Sequence, residues 1–409
     1  MEKEEELSEQ VLWLQVWGLA GLQGAIALTC LIYSVYLPQL LVEFNFPAQV
    51  GIALIVVENG LAVLLEPLMG GLSDRDKRQF GTRFPLIAAG IVLASTFFIA
   101  IPTAVIFGKG ISEFRWMLVT VSLAWALAMT VFRSPAISLL RNYAPPERLV
   151  LANSLLVLVA GLFTAFKPIA RNWSVNLGTV FAFAMGSFAL LGAAAILRYV
   201  NLPETLARTN LIATAIEQKT TKNPPLHIAL SLIFLMGMAI AWGTQFSIAA
   251  LYQTLILQTG IDNVDWLMVG IGIVLALAAP PTADWALRID NRHAMFAGAI
   301  ATAILLQLAV FLPSWLTLVI AILGLLIAFN LVLNGAIPLV LMLVAPHQAG
   351  IGAGMYFSGM AGAECLLGFF FPLEQSIPPH IGAIGGAGAF LLLSACVAVS
   401  IRWRSLYSL

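Results

Sequence analysis

The chain has 409 residues, 60% of them hydrophobic and only 10% charged, with a formal net charge of zero and a mean hydropathy of +0.96. Soluble domains are nearer half apolar and a quarter charged, so this composition excludes a soluble globular protein, and the zero net charge offers no footing to a nucleic-acid partner. The apolar runs are too long for buried strands and lack the alternation of an outer-membrane barrel; what remains is an all-α polytopic membrane protein.

Twelve segments are long and apolar enough to span a bilayer, which takes about 20 residues each. They fall at 11–40, 47–71, 84–108, 115–141, 147–171, 176–200, 226–257, 262–287, 293–312, 315–343, 347–371 and 380–402. The acidic start MEKEEELSEQ carries no cleavable signal pattern, so the first span is expected to act as its own insertion signal. The widest polar gap, 201–225, divides the spans six and six. The expected organisation is an N-terminal bundle (1–200), a linker (201–225) and a C-terminal bundle (226–409). Within the linker, Leu211 to Gln218 reads as a short amphipathic helix on the membrane surface.

Lys and Arg set the orientation. With the N-terminus inside, 15 of the 20 basic residues fall on the cytoplasmic side: Lys3, Arg75, Lys77, Arg78, Arg83, Arg141, Arg148, Arg198, Arg208, Lys219, Lys222, Arg288, Arg292, Arg402 and Arg404. Lys109, Arg115, Lys167 and Arg171 fall outside or near the outer surface, where Lys167 is expected to snorkel. Both termini and the linker are therefore expected in the cytoplasm, and the cell (inner) membrane is the expected location.

Charge concentrates between spans 2 and 3, where Gly70-Gly71-Leu72-Ser73-Asp74-Arg75 leads into a basic loop ending in Gly81-Thr82-Arg83-Phe84-Pro85. The glycines allow two helices to approach closely. Asp74 can pair with a cation or cap a neighbouring helix, making a gate whose contacts break on opening; the same charges also anchor topology. Four acidic or basic side chains fall at least five residues inside a span, where charge is costly and marks function. Glu58 lies near the middle of span 2, where a carboxylate could take and release a proton over a cycle. Arg133 lies within span 4, and its expected partner by depth is Glu58, so that protonation would free the Arg. Glu66, just before Pro67, is expected in the cytoplasmic charge network or at a cation. Glu364, in span 11, is a second proton or cation candidate, or a bond between helices.

The six-plus-six plan is that of the major facilitator superfamily, with two bundles around a cavity near the midplane. Gly70–Arg75 resembles its G-x-L-x-D-R loop. The longer pattern through Gly81, Arg83 and Pro85 resembles the sucrose-transporter-like branch of the glycoside–pentoside–hexuronide:cation symporters. So do Tyr36-Leu37-Pro38 with Leu40 to Phe46, Glu58-Asn59, Arg133-Ser134-Pro135-Ala136 and Ala152-Asn153. The likeness covers residues 30–165 well and the C-terminal half in general plan only. Thr82 and Phe84 stand where that branch has arginines, and the second-half loop keeps Asp284, Arg288, Asp290 and Arg292 without the glycines.

The resemblance implies a cytoplasmic gate of Gly70, Asp74, Arg75, Gly81 and Arg83, with Asp284 and Arg288 its second-half counterpart. Glu66-Pro67 matches an acid–Pro pair that helps bind the coupling cation in melibiose-type symporters, but the second acid of that site is Ala62 here. A proton is thus the expected coupling ion, with sodium the lesser alternative. The resemblance also places the cavity among spans 1, 4, 7 and 10. Its polar candidates are Gln23, Tyr33, Tyr36, Asn59, Trp242, Gln245, Tyr252, Asn330 and Asn334, where amides and an aromatic platform suit a polyhydroxyl solute; such residues also commonly join helices.

No Walker loop is present, the four histidines lie near span ends without ligand spacing, and Cys30, Cys365 and Cys396 read as small core residues. Neither an enzyme, a cofactor nor a metal site is expected. The reading is a monomeric secondary transporter working by alternating access, most simply proton-coupled symport of a sugar-like or other small polar organic solute. Its rivals are an exporter of amphipathic molecules on the same fold and a transport-inactive membrane assembly factor.

Overall fold

A computed structural model describes residues 10–108, 115–170, 178–201, 224–261, 263–312, 314–371 and 377–407. Lys3, Lys109, Arg171, the basic residues of the linker and the expected helix at 211–218 lie outside the described residues. The main helices are α1 (Trp13–Glu43), α2 (Ala48–Phe80), α3 (Phe84–Gly108), α4 (Arg115–Ser138), α5 (Leu149–Ala165) and α6 (Thr179–Val200). The second half supplies α7 (Leu226–Thr259), α8 (Asp265–Leu277 and Ala279–Ile289), α9 (Asn291–Phe311), α10 (Trp315–Leu343), α11 (Ala349–Phe370) and α12 (Pro379–Tyr407). Among the described residues the fold is all-α, with twelve main helices in two six-helix bundles.

Ten of these helices are long and apolar enough to cross a membrane, and the bent α8 makes an eleventh. Its two segments meet at 44°, where Pro280 and Pro281 cannot donate backbone hydrogen bonds to the preceding turn. The twelfth, α11, is rich in glycine, which lowers its hydropathy; it is enclosed by α2, α4 and α7. Glycine serves close approach here, so α11 trades apolar side chains for contact between backbones.

Sequence ranges and helices agree closely at α3 and α10 and differ most at α2. The charged stretch expected as a loop after residue 71 is instead the last turns of a 33-residue helix. Arg78 Nε donates to the Asp74 carbonyl at 3.4 Å, and basic Lys77 and Arg78 suit the negative end of the helix dipole. Gly81 ends the helix at φ 74°, a conformation that a side chain disfavours, with its N–H on the Lys77 carbonyl at 3.0 Å.

The halves repeat one packing scheme. In the first, α1 packs on α5 and α6, α3 on α4 and α6, and α2 on α4; in the second, α7 packs on α11 and α12, α9 on α10 and α12, and α8 on α10. The repeat is visible in the backbone: Pro145 (φ −64°, ψ 156°) and Ala345 (φ −63°, ψ 152°) each precede one tight turn, Pro146–Arg148 or Pro346–Gln348, and then a long helix. Each half leaves faces for the other: α2 meets α11, α5 meets α8, α4 meets α11 and α5 meets α10. Among the described residues, helices α1 and α7 form no comparable contact, and the cavity expected between the bundles would lie between them. The end of the molecule where α6 stops and α7 starts is called the linker side, and the other the far side.

Candidate functional site: a cleft closed on the linker side

Closure on the linker side starts from glycine. A Cβ on Gly70 would stand 2.2 Å from the Gly350 carbonyl oxygen, and one on Gly350 would stand 2.4 Å from the Gly70 oxygen. One turn deeper, a Cβ on Gly354 would meet the Glu66 oxygen at 2.3 Å. Only glycine permits this approach, and small residues four apart are a common device for packing membrane helices. Ser358 continues the row, donating to the Val63 carbonyl at 2.6 Å.

The approach puts the buried Asp74 against the start of α11. The first backbone N–H groups of a helix have no partner within it, and Asp74 supplies one across the seam. Its Oδ1 accepts from Gly350 N and its Oδ2 from Ile351 N, both at 2.9 Å. Arg83 Nη2 donates to the same Oδ1 at 2.5 Å, with the Arg side chain only 1% exposed. One carboxylate therefore joins α2, the loop before α3, and the N-terminus of α11. Nearby, Arg141 Nη1 donates to the Val344 carbonyl at 3.2 Å, tying the end of the first half's α4 region to the end of α10. Arg75, from the same motif, is exposed.

The second-half counterpart is built otherwise. Asp284 and Arg288 form an exposed pair within α8 at 3.0 Å and cap nothing in the first half. The α5–α8 contact is apolar: Val150 packs with Ala283 and Ala286, and a Cβ on Gly161 would meet Ala276 Cβ at 3.0 Å.

Deeper in the protein, the expected Glu58–Arg133 pair is replaced by another. Arg133 Nε and Nη2 both donate to Glu66 Oε1, at 2.9 and 2.6 Å, and the guanidinium lies 4.5 Å from the centre of the Phe357 ring on α11. Depth explains the exchange. At 1.5 Å per residue, Glu66 lies about 27 Å from the start of α2 and Arg133 about 27 Å from the start of α4, whereas Glu58 lies only about 15 Å in. Glu66 is fully buried while Arg133 keeps 27% exposure. It thus belongs to a mid-depth pair, not to the linker-side charge network. Glu58 instead accepts a short hydrogen bond from the Tyr33 hydroxyl, and among the described residues it has no cationic partner.

The remaining candidates divide between helix packing and the cleft. Tyr33 packs tilted against Trp125, ring centres 4.2 Å apart, and Tyr36 packs edge-on against Phe183; both tyrosines are buried within the first half. Asn59 Nδ2 returns to the Ile55 carbonyl of its own helix at 2.9 Å. Asn330 and Asn334 are fully buried, with Nδ2 on the Leu275 and Ala279 carbonyls of α8 at 2.8 and 2.7 Å. They join helices instead of offering amides to a solute. Tyr252 donates to Asp265 at 3.1 Å, linking α7 to α8. Gln245 Nε2 donates to Glu364 Oε1 at 2.9 Å, and Trp242 stacks on Phe246 at 5.6 Å; all three of Trp242, Gln245 and Glu364 are half-buried. Gln23 is half-buried on α1.

Two features escaped the sequence reading. The Gly350–Gly354–Ser358–Gly362 row was there to be read, as small residues at four-residue spacing. Cys30 is exposed, not core. Nothing in the local sequence distinguishes that position from one facing lipid.

Two repeated six-helix bundles joined along the α2–α11 and α5–α8 seams define the fold of a secondary transporter. The chain belongs to the Major Facilitator Superfamily, which it matches over residues 18–368. A search of curated protein sequences finds no match. Among solved structures it is similar to a bacterial homologue of the iron transporter ferroportin in an outward-facing state with soaked iron, at 15% identity and TM-score 0.67, covering 97% of this chain and 100% of the other. It is also similar to the proton:xylose symporter XylE (13%, TM-score 0.62, 96% and 94%). The human organic anion transporter MFSD10 (TETRAN) is a third (14%, TM-score 0.59, 95% and 99%). At these identities the likeness concerns the fold.

Proposed function

We propose that this transporter is a symporter that couples entry of a small polar organic solute to a proton carried by Glu58. The observation that carries the reading is the division of partners at mid-depth. Arg133 is held by Glu66, so Glu58 faces a neutral hydroxyl and can change protonation without breaking an ion pair. The linker side is the cytoplasmic side, in keeping with its basic residues, and the form described here is closed on that side. Loading from the far side is followed by rocking of the two bundles. For the solute to leave, Asp74 must release the α11 N-terminus and Arg83; together with Gly70, Gly81 and Arg141 it forms the gate. The resemblance of residues 30–165 to the sucrose-transporter-like branch supports a sugar-like solute. The burial of Asn330 and Asn334 against α8 removes two of the amides on which a neutral polyhydroxyl site would draw, so the solute class is set more broadly.

The test uses purified protein in liposomes with an inward proton gradient. Internal pH is recorded while mono- and disaccharides, organic acids and amino acids are added. Solute-dependent acidification that disappears in Glu58→Gln is the expected result. Solute uptake that proceeds unchanged in Glu58→Gln removes Glu58 from coupling.

A further inference from the structure

Of the four charged side chains deep inside the spans, three are acids and one is a base. Arg133 is spent on Glu66, which is fully buried. Glu58 is buried and faces the Tyr33 hydroxyl. Glu364 differs from both: it is half-buried, and among the described residues no cation pairs with it. Among those residues its side chain has one hydrogen bond, from a neutral group, Gln245 Nε2 to Oε1 at 2.9 Å, and Oε2 has none. The packing of α11 shows where this carboxylate points. Side chains advance by about 100° per residue around a helix. Measured from Glu364, Gly354 and Cys365 lie about 80–100° to one side, the side against Glu66 and Gly60 of α2. Tyr356 and Gly359 lie about 80–140° to the other side, where the backbone meets Gly237 and Phe234 of α7. Phe357, on whose ring the Arg133 guanidinium of α4 rests, lies within about 20° of Glu364. The exposed Phe369 and Phe370 are on the back of the helix, about 120–140° away. Glu364 therefore projects between α2 and α7, toward the first half and away from lipid, about 10 Å nearer the far side than Phe357. Trp242, three residues before Gln245 and so on the same side of α7, is half-buried, with its ring stacked on Phe246.

We infer that Glu364, with Gln245 and Trp242 on the facing side of α7, is the subsite for a positively charged nitrogen, and that the transported solute is an organic amine or ammonium. This deepens the proposed function and rests on it. An amide holds one carboxylate oxygen in place and leaves the other for the solute, and an aromatic face attracts the same cation. The charge balance agrees. With Glu58 protonated and Glu66 matched by Arg133, Glu364 leaves one negative charge inside the spans, and a monocation neutralises it. Lys167 is exposed beyond α5, which packs chiefly on α1, α8 and α10, and Arg115 is held against Phe46 and Trp116 at the start of α4, so both stay outside this sum. A mere bond between α7 and α11 would need no charge: a second glutamine in place of Glu364 would serve it.

A reactive organic ammonium tests this without knowledge of the natural solute. Met360 is half-buried one turn from Glu364, about 40° around α11 from it. In a full-length background with Cys30, Cys365 and Cys396 changed to Ser, the Met360→Cys variant is treated with two methanethiosulfonates, one bearing an ethyltrimethylammonium and one an ethylsulfonate group. The introduced thiolate attacks the sulfenyl sulfur, a mixed disulfide forms, and methanesulfinate leaves with the electron pair of the broken S–S bond. Each rate is divided by that of the same reagent with free 2-mercaptoethanol. The ammonium reagent is expected to be faster by about tenfold, the scale of focused electrostatic attraction in a cleft. Choline should slow it, and the uncharged analogue 3,3-dimethylbutanol should not. Glu364→Asp should keep the preference; Glu364→Gln, which retains a hydrogen-bonding group opposite Gln245, should abolish it. Equal rates, a faster sulfonate reagent, a preference that survives Glu364→Gln, indifference to choline, or no modification of Met360→Cys overturns the inference. Neither a proton gradient nor transport enters the assay, so its failure is distinct from the failure of coupling at Glu58, which the liposome measurement reports.

Discussion

The α2–α11 and α5–α8 seams occupy equivalent places in the repeat, yet they are held by different physics. At α2–α11, backbones touch through Gly70, Gly350 and Gly354, and a buried carboxylate caps a helix belonging to the other half. At α5–α8, small apolar side chains slide against one another, and the charged pair that corresponds to Asp74 and Arg83 faces outward. An apolar seam loses only the contact of small side chains when it parts, with no hydrogen bond or charge left unpaired. The polar seam loses more: separation uncaps α11 and leaves Arg83 buried without its acid. Asp74 therefore supplies the charged tie between the halves, beside the neutral-acceptor bonds of Arg141 to Val344 and of Asn153 to the Leu333 and Asn334 carbonyls.

The difference can be broken most forcefully at Asp74. Asp74→Asn leaves the Arg83 cation without its counter-charge, and loss of one partner of a buried pair costs about 3–5 kcal/mol. A large fall in melting temperature, partly rescued by Arg83→Gln in the same chain, is expected. Gly70→Ala comes next: a methyl group directed at a backbone oxygen has no flexible neighbour to displace, and overpacking of this kind costs about 1–3 kcal/mol. Gly161→Ala, which meets only the Ala276 methyl group, should lower the melting temperature less, and the pair of alanine variants reads the two seams directly. Asn334→Ala, which cuts a bond between α10 and α8, should cost about 0.6–1.7 kcal/mol. Asp284→Asn removes an exposed pair within one helix and should change stability by about 0.5 kcal/mol or less, within the scatter of a thermal melt.

Much of this arrangement was legible because hydropathy and charge are local properties of a membrane chain. The bounds of α3 and α10 follow from where apolar residues stop, and Asp74 could be read as a helix cap because a glycine pair and an acid at a helix end have few other uses. The partner of Arg133 was not legible. Two acids on α2, Glu58 and Glu66, lie two turns apart, and the choice between them depends on how far α4 is displaced along α2, which no local pattern records. Asn330 and Asn334 show the same limit. Four-residue spacing puts both on one face of α10, but whether that face meets a cleft or the carbonyls of α8 is decided by the bend at Pro280 and Pro281. Cys30 reads as a core residue in an apolar run, yet the packing around α1 leaves it exposed.

The central claim, that the α2–α11 seam holds the linker side closed through Asp74, is tested most directly by distance. Spin labels at Gln79 and His347 span that seam, and labels at Arg148 and Ile289 span the other; pulsed electron paramagnetic resonance reads both in lipid. The account predicts a Gln79–His347 distribution that lengthens in Asp74→Asn, while the Arg148–Ile289 distribution is unmoved by Asp284→Asn. A Gln79–His347 distance indifferent to Asp74→Asn would contradict it.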